Sequence, residues 1–318
     1  MRVLVTGADG FVGRFLVRRL LDDAHSVTGA VRHGSPQAAA GLSAAERGAV
    51  TWAALELDGT TPMNHLFAGP VDAVVHLAAV ASSSEARRDP ATAWIVNTLG
   101  TARLLDAAAR ARDEGRSDPL VLVVSSSEVY GAGEGERRRL EEDRLQPRSP
   151  YGATKAAAEI AALEVWRRTG LRVVVARAFQ HTGPGQSETY VVPALARRIR
   201  EARRDRRRTV PTGNLEPVRD LSDVRDVVSA YVALLGAAAG GETYNICRGE
   251  GRRLADIFAA LARLLDADVV PEPDPALQRA GDIPHLVGDP GRLQGATGWA
   301  PTHSFDQTLR DVVDAQAD

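Results

Sequence analysis

The sequence predicts an α/β protein: a doubly wound parallel sheet carrying a smaller C-terminal region. Three observations lead there. Short valine-rich runs are apolar on both faces, the segments between them have helical spacing, and a glycine turn joins the first run to the first helix. With 318 residues, the chain can bury a large core, as one big domain or as a large domain with a smaller one attached.

Taken in order, "RVLVTG", "SVTGAV", "VTWAALEL", "DAVVHLAA", "LVLVVSSS" and "LRVVVARAF" read as strands. Helical spacing runs from Phe11 to Leu21 and from Thr92 to Arg112. The polar stretch from Gly131 to Arg148 reads as an exposed loop leading into a further helix at Ser149. Beyond about Thr182 the pattern changes: glycine and proline punctuate the chain, and helices at Asp223 to Leu235 and Leu254 to Leu265 alternate with short strands only.

The formal net charge of -2 supplies no global field for nucleic acid or an anionic membrane, and the local run "RRDRRRT" from Arg203 to Thr209 reads as a solvated helix end. A single cysteine, Cys247, excludes an internal disulfide framework and a multi-thiolate metal site, suits a reducing compartment, and reads as filler in a strand. No metal-site spacing of His, Cys and Asp occurs. The N-terminus enters a strand directly, without a long apolar stretch or a small-residue cleavage site, and nowhere do 18 apolar residues run uninterrupted. The expectation is a cytoplasmic protein with neither nucleic acid nor membrane as partner.

In "VLVTGADGFVGRFLVRRLL", Gly7, Gly10 and Gly13 stand three apart between strand and helix. Glycine permits the tight turn, lets backbone approach a pyrophosphate, and allows the helix to sit close on the strand. The helix start then offers free N–H groups and a positive dipole end to the anion. The turn, from Gly7 through Asp9, Gly10, Phe11 and Val12 to Gly13, is therefore a candidate dinucleotide site. About twenty residues on, an acid would hold an adenosine ribose 2'-hydroxyl and an arginine a 2'-phosphate. The chain has Arg32 and no acid there, which favours NADP, as NADPH, with NAD still possible.

"SPYGATKAAAE" places Tyr151 and Lys155 one helical turn apart behind a plausible Ser149 cap and Pro150 at the first helical position. Both can act on one ligand. A phenol is a poor acid or base at neutral pH, and a nearby ammonium is expected to bring Tyr151 toward the working range.

Together "TGADGFVG", "SSSEVYG" and "SPYGATK" resemble the extended short-chain dehydrogenase/reductase family, whose Rossmann-type domain binds a nicotinamide cofactor and whose members act on nucleotide-diphosphate sugars. The resemblance spans nearly the whole chain. "ARAFQHTGPGQ", "GNLEPVRDLSDVRDVVSAY", "YNICRGEG" and "RAGDIPHLVGDPGRL" narrow it to the GDP-6-deoxy-D-mannose reductases, with Gln180 in place of the usual asparagine and Ala280 and Gly281 in place of proline and serine.

The resemblance implies Ser126, four residues before Tyr130, as the group that hydrogen-bonds the substrate carbonyl, Tyr151 as proton donor and Lys155 as ribose anchor. It implies cofactor contacts at Asp58, at Leu77, Ala78 and Ala79 of "HLAA", and at Ser125, Phe179 and His181, the last at the end of the sixth strand. His181 reads equally as a satisfied structural group.

Substrate contacts are implied at Ser127, Glu128, Gln180, Val192, Arg219 and Arg279. Each of these arginines suits a diphosphate, or instead pairs with the neighbouring Asp220 or Asp282. Glu128 is the position of a general base in related dehydratases; here it either binds sugar hydroxyls or is a partly exposed acid near the pocket. A GDP-linked 4-keto-6-deoxy sugar is the implied partner, and a homodimer through the alanine-rich helices the implied assembly. The expected division is 1–180 for the NADP-binding domain, with about 215–250 returning to it, and 181–318 mainly for the nucleotide sugar.

Overall fold

The computed structural model of the chain describes residues 1–32, 41–59, 61–133, 135–278 and 282–316. Strand β1 (Arg2–Thr6) is buried from its second residue onward and passes through the glycine turn into α1 (Phe11–Asp22). Gly7 takes a φ of +67°, and a Cβ on Gly13 would collide with the Gly7 carbonyl, so neither position accepts a side chain. Next come β2 (Ser26–Val31), α2 (Ala44–Gly48), β3 (Val50–Ala54) and β4 (Ala73–His76). Helices α3 (Ser83–Arg88) and α4 (Pro90–Trp94) follow, and α4 continues through a π-helical turn at Ile95–Leu99 into α5 (Gly100–Asp113). The helix expected from Thr92 to Arg112 thus exists with a bulge at its head. Then β5 (Leu120–Ser126), α6 (Pro150–Thr169) and β6 (Val173–Ala178) complete the first part.

The later elements are β7 (Gln180–Thr182), α7 (Val191–Arg204), β8 (Thr209–Thr212), β9 (Val218–Asp223), α8 (Val224–Ala237), β10 (Thr243–Ile246), β11 (Gly251–Arg253), α9 (Leu254–Leu264), β12 (Val270–Pro273), β13 (His285–Leu286), α10 (Gly291–Thr297) and α11 (Phe305–Asp314).

Seven parallel strands form the main sheet in the order β3-β2-β1-β4-β5-β6-β10. The order reverses between β1 and β4, so the connections leave in opposite directions and open a crevice at the carboxyl ends of the strands. One face is covered by α1, α8 and α10 through Leu16, Leu20, Val227, Leu234 and Leu293, and the other by α5 and α6 through Leu104, Leu105, Ala162 and Val165. Helix α8 and strand β10, late in the sequence, therefore belong to this layered body.

A second core joins α7, α9 and α11 through Leu195, Ile199, Ile257, Phe258, Leu261 and Leu309. Around β9 gather β11, β13 and β7, while β8 pairs with β12. His181 accordingly sits in β7, paired with Ser222 of β9, and not at the end of the sixth strand: β6 stops at Ala178 and the chain turns away from the main sheet.

The stretch 131–148 corrects the expectation of an exposed loop. Arg139 is 1% exposed and Glu141 is buried. The Arg139 guanidinium donates to the Ala132 and Gly135 carbonyls, its backbone N–H to Val287, and its carbonyl accepts from Asp289. Glu141 accepts the Asn245 N–H at 2.8 Å. These charges can leave water because backbone groups replace it. Cys247, just beyond β10, is a buried free thiol whose proton affinity burial raises. No helix among the described residues is long and apolar enough to cross a membrane, and no cluster of metal-ligating side chains occurs among them.

Candidate active site

A cavity of about 1160 Å³ follows the crevice from the glycine turn to the start of α7. That volume exceeds the usual range for one small ligand, and suits two bound end to end. At one end are Gly7, Asp9, Gly10, Phe11, Val12 and Gly13, with Arg32 just past β2 and Asp58 past β3. Helix α1 opens there without a side-chain cap and without an acid in its first turn, leaving its free N–H groups and positive dipole end for an anion. Leu77, Ala78 and Ala79 line the cavity after β4, and a Cβ on Gly7 would come within 3.0 Å of the Ala78 nitrogen. This cradle fits a dinucleotide: backbone approaches from both sides where side chains would block a pyrophosphate.

Toward the middle, β5 and α6 bring Ser126, Tyr151 and Lys155 together. Ser149 caps α6 by accepting the Gly152 N–H at 3.0 Å, with Pro150 at the first helical position, and this fixes the turn on which Tyr151 stands. The Ser126 hydroxyl is the hydrogen-bond partner of Tyr151 and also accepts the Glu128 N–H at 3.2 Å. Lys155 is buried and donates to the Val124 carbonyl at 2.8 Å.

The electrostatics correct one expectation. Burial lowers Lys155 to about 8, opposed by the negative charge of Glu159 one turn further along α6. Tyr151 is not brought toward neutrality: burial and the charge of Glu128 push it above its ordinary value, against the Ser126 hydrogen bond. The lysine ammonium is turned toward the Val124 carbonyl, so the anion near Tyr151 outweighs it. The result is a phenol held protonated, a donor and not a base.

Glu128 is tied down. Its carboxylate oxygens accept from Ser83 at 2.7 and 2.8 Å, and one of them also from Ser149 at 2.7 Å. The same Ser149 hydroxyl that caps the Tyr151 helix thus connects Glu128 to α3. Ser127 and Gln180 line the same part of the cavity, each with a buried side-chain oxygen that has no hydrogen-bond partner among the described residues. Val192 of α7 also lines it.

Below the cavity lies a buried charged network invisible in the motifs. The Ser125 hydroxyl donates to Glu159, which pairs with Arg177 at 2.8 Å. Arg177 also donates to the Tyr130 hydroxyl at 2.9 Å and to the Glu141 carbonyl at 2.8 Å. Tyr130 in turn donates to Asn245 at 2.7 Å. Ser125, expected as a cofactor contact, lines the cavity but spends its hydroxyl on Glu159.

His76 bridges Thr6 and Thr101, kept neutral by burial and by Lys155, which together lower it to about 3. Asn97, in the π-helical turn, accepts the Val80 N–H at 2.8 Å and donates to Thr154, pinning the β4 loop to α6.

His181 donates from Nδ1 to the Phe179 carbonyl, 3.0 Å away, and stacks on the Phe11 ring. Both residues line the cavity, and so does Phe179. Arg219 does not. Leu221 is the β9 residue that faces in, and Arg219 lies two positions earlier on that face, about 6–7 Å back along the strand. The neighbouring Asp220 carboxylate accepts backbone N–H groups of Arg248, Gly249 and Gly288. Arg279 falls outside the described residues. Tyr190, Gln186 and Tyr231 also line the cavity; Gln186 and Tyr231 end two of the stretches that carry the resemblance, but no spacing gives any of the three a role, and only the packing around α7 and α8 brings them there.

Fold and site together define a nicotinamide-dependent oxidoreductase of the extended short-chain dehydrogenase/reductase class. Residues 4–312 match the family described as GDP-mannose 4,6 dehydratase, and the chain belongs to it. It is 33% identical to the GDP-6-deoxy-D-mannose reductase of Pseudomonas aeruginosa, over 98% of this chain and 96% of that protein. The structure of RMD from Pseudomonas aeruginosa complexed with NADPH superposes with a TM-score of 0.79 at 32% identity, covering 99% of this chain and 98% of the other. A UDP-glucose 4-epimerase of Thermus thermophilus in complex with NAD gives 0.83 at 28% identity, covering 99% and 98%. Relatives of this chain thus include reductases and epimerases of nucleotide sugars, bound to NADPH or to NAD.

Proposed function

We propose that the protein is an NADPH-dependent reductase acting on the C4 ketone of GDP-4-keto-6-deoxy-D-mannose to give GDP-6-deoxy-D-mannose (GDP-D-rhamnose). The observation that carries the reading is the grouping of Tyr151, whose proton affinity burial raises, with Ser126 and Lys155 in the cavity, while the nearby Glu128 carboxylate accepts from two serine hydroxyls. A bound NADPH supplies the hydride that a ketone needs. Ser126 holds the carbonyl oxygen, and Tyr151 gives it a proton as negative charge develops there. Lys155, still cationic at neutral pH, favours the phenolate left behind. The reduction calls for no base at Glu128, whose carboxylate accepts hydrogen bonds from Ser83 and Ser149.

Guanine as the base and the 6-deoxy sugar rest on the reductase relative at 33% identity. The test is incubation with GDP-4-keto-6-deoxymannose and NADPH, with loss of absorbance at 340 nm and product identification by NMR. Conversion of GDP-mannose to a 4-keto product without added ketone would replace this reading with a 4,6-dehydratase. Tight NADPH binding with no turnover of any keto sugar would replace it with a non-catalytic sensor.

Arg32 supports the cofactor preference: it borders the cavity just after β2, where no acid stands to claim a ribose hydroxyl. The Arg32→Ala variant should bind NADPH about tenfold more weakly, a loss of about 1.4 kcal/mol, and NADH as before. Equal NADPH affinity by fluorescence titration in both forms would remove the argument.

The reading includes a cytoplasmic homodimer. Its support is an exposed apolar strip on neighbouring helices, with Trp94 at 44%, Leu99 at 57% and Ile160 at 66% exposure. A double variant Leu99→Glu with Ile160→Glu should sediment as a monomer; an unchanged sedimentation coefficient would exclude this face as the interface.

A further inference from the structure

One polar group in the cavity has no task in any of the motifs. Tyr231 stands on the inward face of α8, fully buried, its ring packed in the core between α1, α8 and the sheet. Yet the residue also lines the cavity, and its hydroxyl has no hydrogen-bond partner among the described residues. A phenol inside a protein normally finds a partner, and phenylalanine would fill the same core volume without the cost of an orphaned hydroxyl. The hydroxyl is therefore unexplained by packing and is placed to meet something that enters the cavity.

What enters follows from position. Tyr231 lies close enough to Tyr151 that the second phenol adds to the effect of burial in raising its proton affinity, which puts its hydroxyl at the reaction end of the cavity and not at the Arg32 end. It reaches the cavity from the side covered by α1, the helix that opens from the glycine turn. Gln186, Tyr190, Val191 and Val192, from α7 and the residues before it, line the cavity as well. Helix α1 packs against α8, so a ligand lying along the glycine turn at the head of α1 extends toward Tyr151 and the neighbouring Tyr231.

We propose that Tyr231 is a cofactor-binding residue whose hydroxyl hydrogen-bonds the nicotinamide half of a bound dinucleotide, at its carboxamide or its ribose. This rests on the dinucleotide reading above. The hydroxyl contributes to binding directly, and it also discriminates between a complete dinucleotide and a fragment lacking nicotinamide.

The test compares wild type and Tyr231→Phe for binding of NADPH and of 2'-phospho-ADP-ribose, which lacks the nicotinamide. NADPH should bind about 5- to 20-fold more weakly to the variant and 2'-phospho-ADP-ribose equally to both. The ligand-free variant should unfold at the same or a higher temperature, because an orphaned buried hydroxyl has gone. Unchanged NADPH affinity overturns the proposal. Equal loss of both ligands does so too, since it would mean an effect through packing. A raised KM for the ketone at saturating NADPH, with NADPH affinity intact, overturns it in favour of a substrate contact. Failure of the wild type to bind NADPH would instead remove the dinucleotide reading on which the proposal rests.

Discussion

The Tyr151→Phe variant is expected to reduce the ketone about 10²- to 10⁴-fold more slowly than wild type, with NADPH affinity little changed. The variant keeps the ring and removes only the proton that the carbonyl oxygen must receive. Ser126 would still hold that oxygen, and Lys155 would still be anchored at Val124, so binding survives while proton delivery does not. Stopped-flow oxidation of NADPH in a single turnover separates the two; a fully active variant would sink the assignment of Tyr151 as donor.

The pH profile adds an independent check. Tyr151, held above its ordinary value, stays protonated through the neutral range. Lys155 is the group that changes, because burial lowers it to about 8. Its ammonium is present below that pH and lost above it, so kcat/KM for reduction should be flat near neutrality and fall as the pH rises through about 8. A rise over that interval would mean that the ionised phenol is the active form.

Arg177→Ala should cost the largest amount of stability, about 3–5 kcal/mol in urea unfolding. Glu159 is 1% exposed and Arg177 5%, and their pairing is what allows both charges to leave water. Removing the guanidinium leaves the Glu159 carboxylate, among the described residues, with the Ser125 hydroxyl, takes from the Glu141 carbonyl its Arg177 donor, and leaves the Tyr130 hydroxyl with Asn245 alone. The double variant Arg177→Met with Glu159→Leu should recover much of the loss, since an apolar pair carries no desolvation penalty. If Arg177→Ala alone costs under about 1 kcal/mol, the pair is not the anchor described here.

The network also matters for the site. Glu159 follows Lys155 by one turn of α6 and Ser125 precedes Ser126 on β5, so the Ser125–Glu159 hydrogen bond ties together the two elements that carry the chemistry, and Arg177 of β6 holds Glu159 in place for it. Its loss should lower activity as well as stability.

Much of this protein is written in short-range pattern. Doubly apolar valine runs demand a sheet covered on both faces, and the three glycines demand a turn into which a Cβ cannot fit. The cap at Ser149 and the four-residue spacing of Tyr151 and Lys155 are local geometry, and the sequence alone sets them. Other features are products of contacts between distant segments.

The direction of the Tyr151 shift depended on burial and on Glu128, both set by how β5, α3 and α6 meet. The Gly131–Arg148 stretch looked exposed because its composition is polar; β10 and the segment after β13 supply the backbone partners that bury Arg139 and Glu141. Arg219 looked like a cavity residue until β9 was seen to present Leu221 there instead. Tyr231 reads as one more apolar-face residue of a helix, and only the docking of α8 beside the cavity leaves its buried hydroxyl without a hydrogen-bond partner among the described residues. Turns, caps and periodicities are decided by neighbours in the chain, whereas proton affinities and orphaned hydroxyls are decided by what the fold places within a few ångströms.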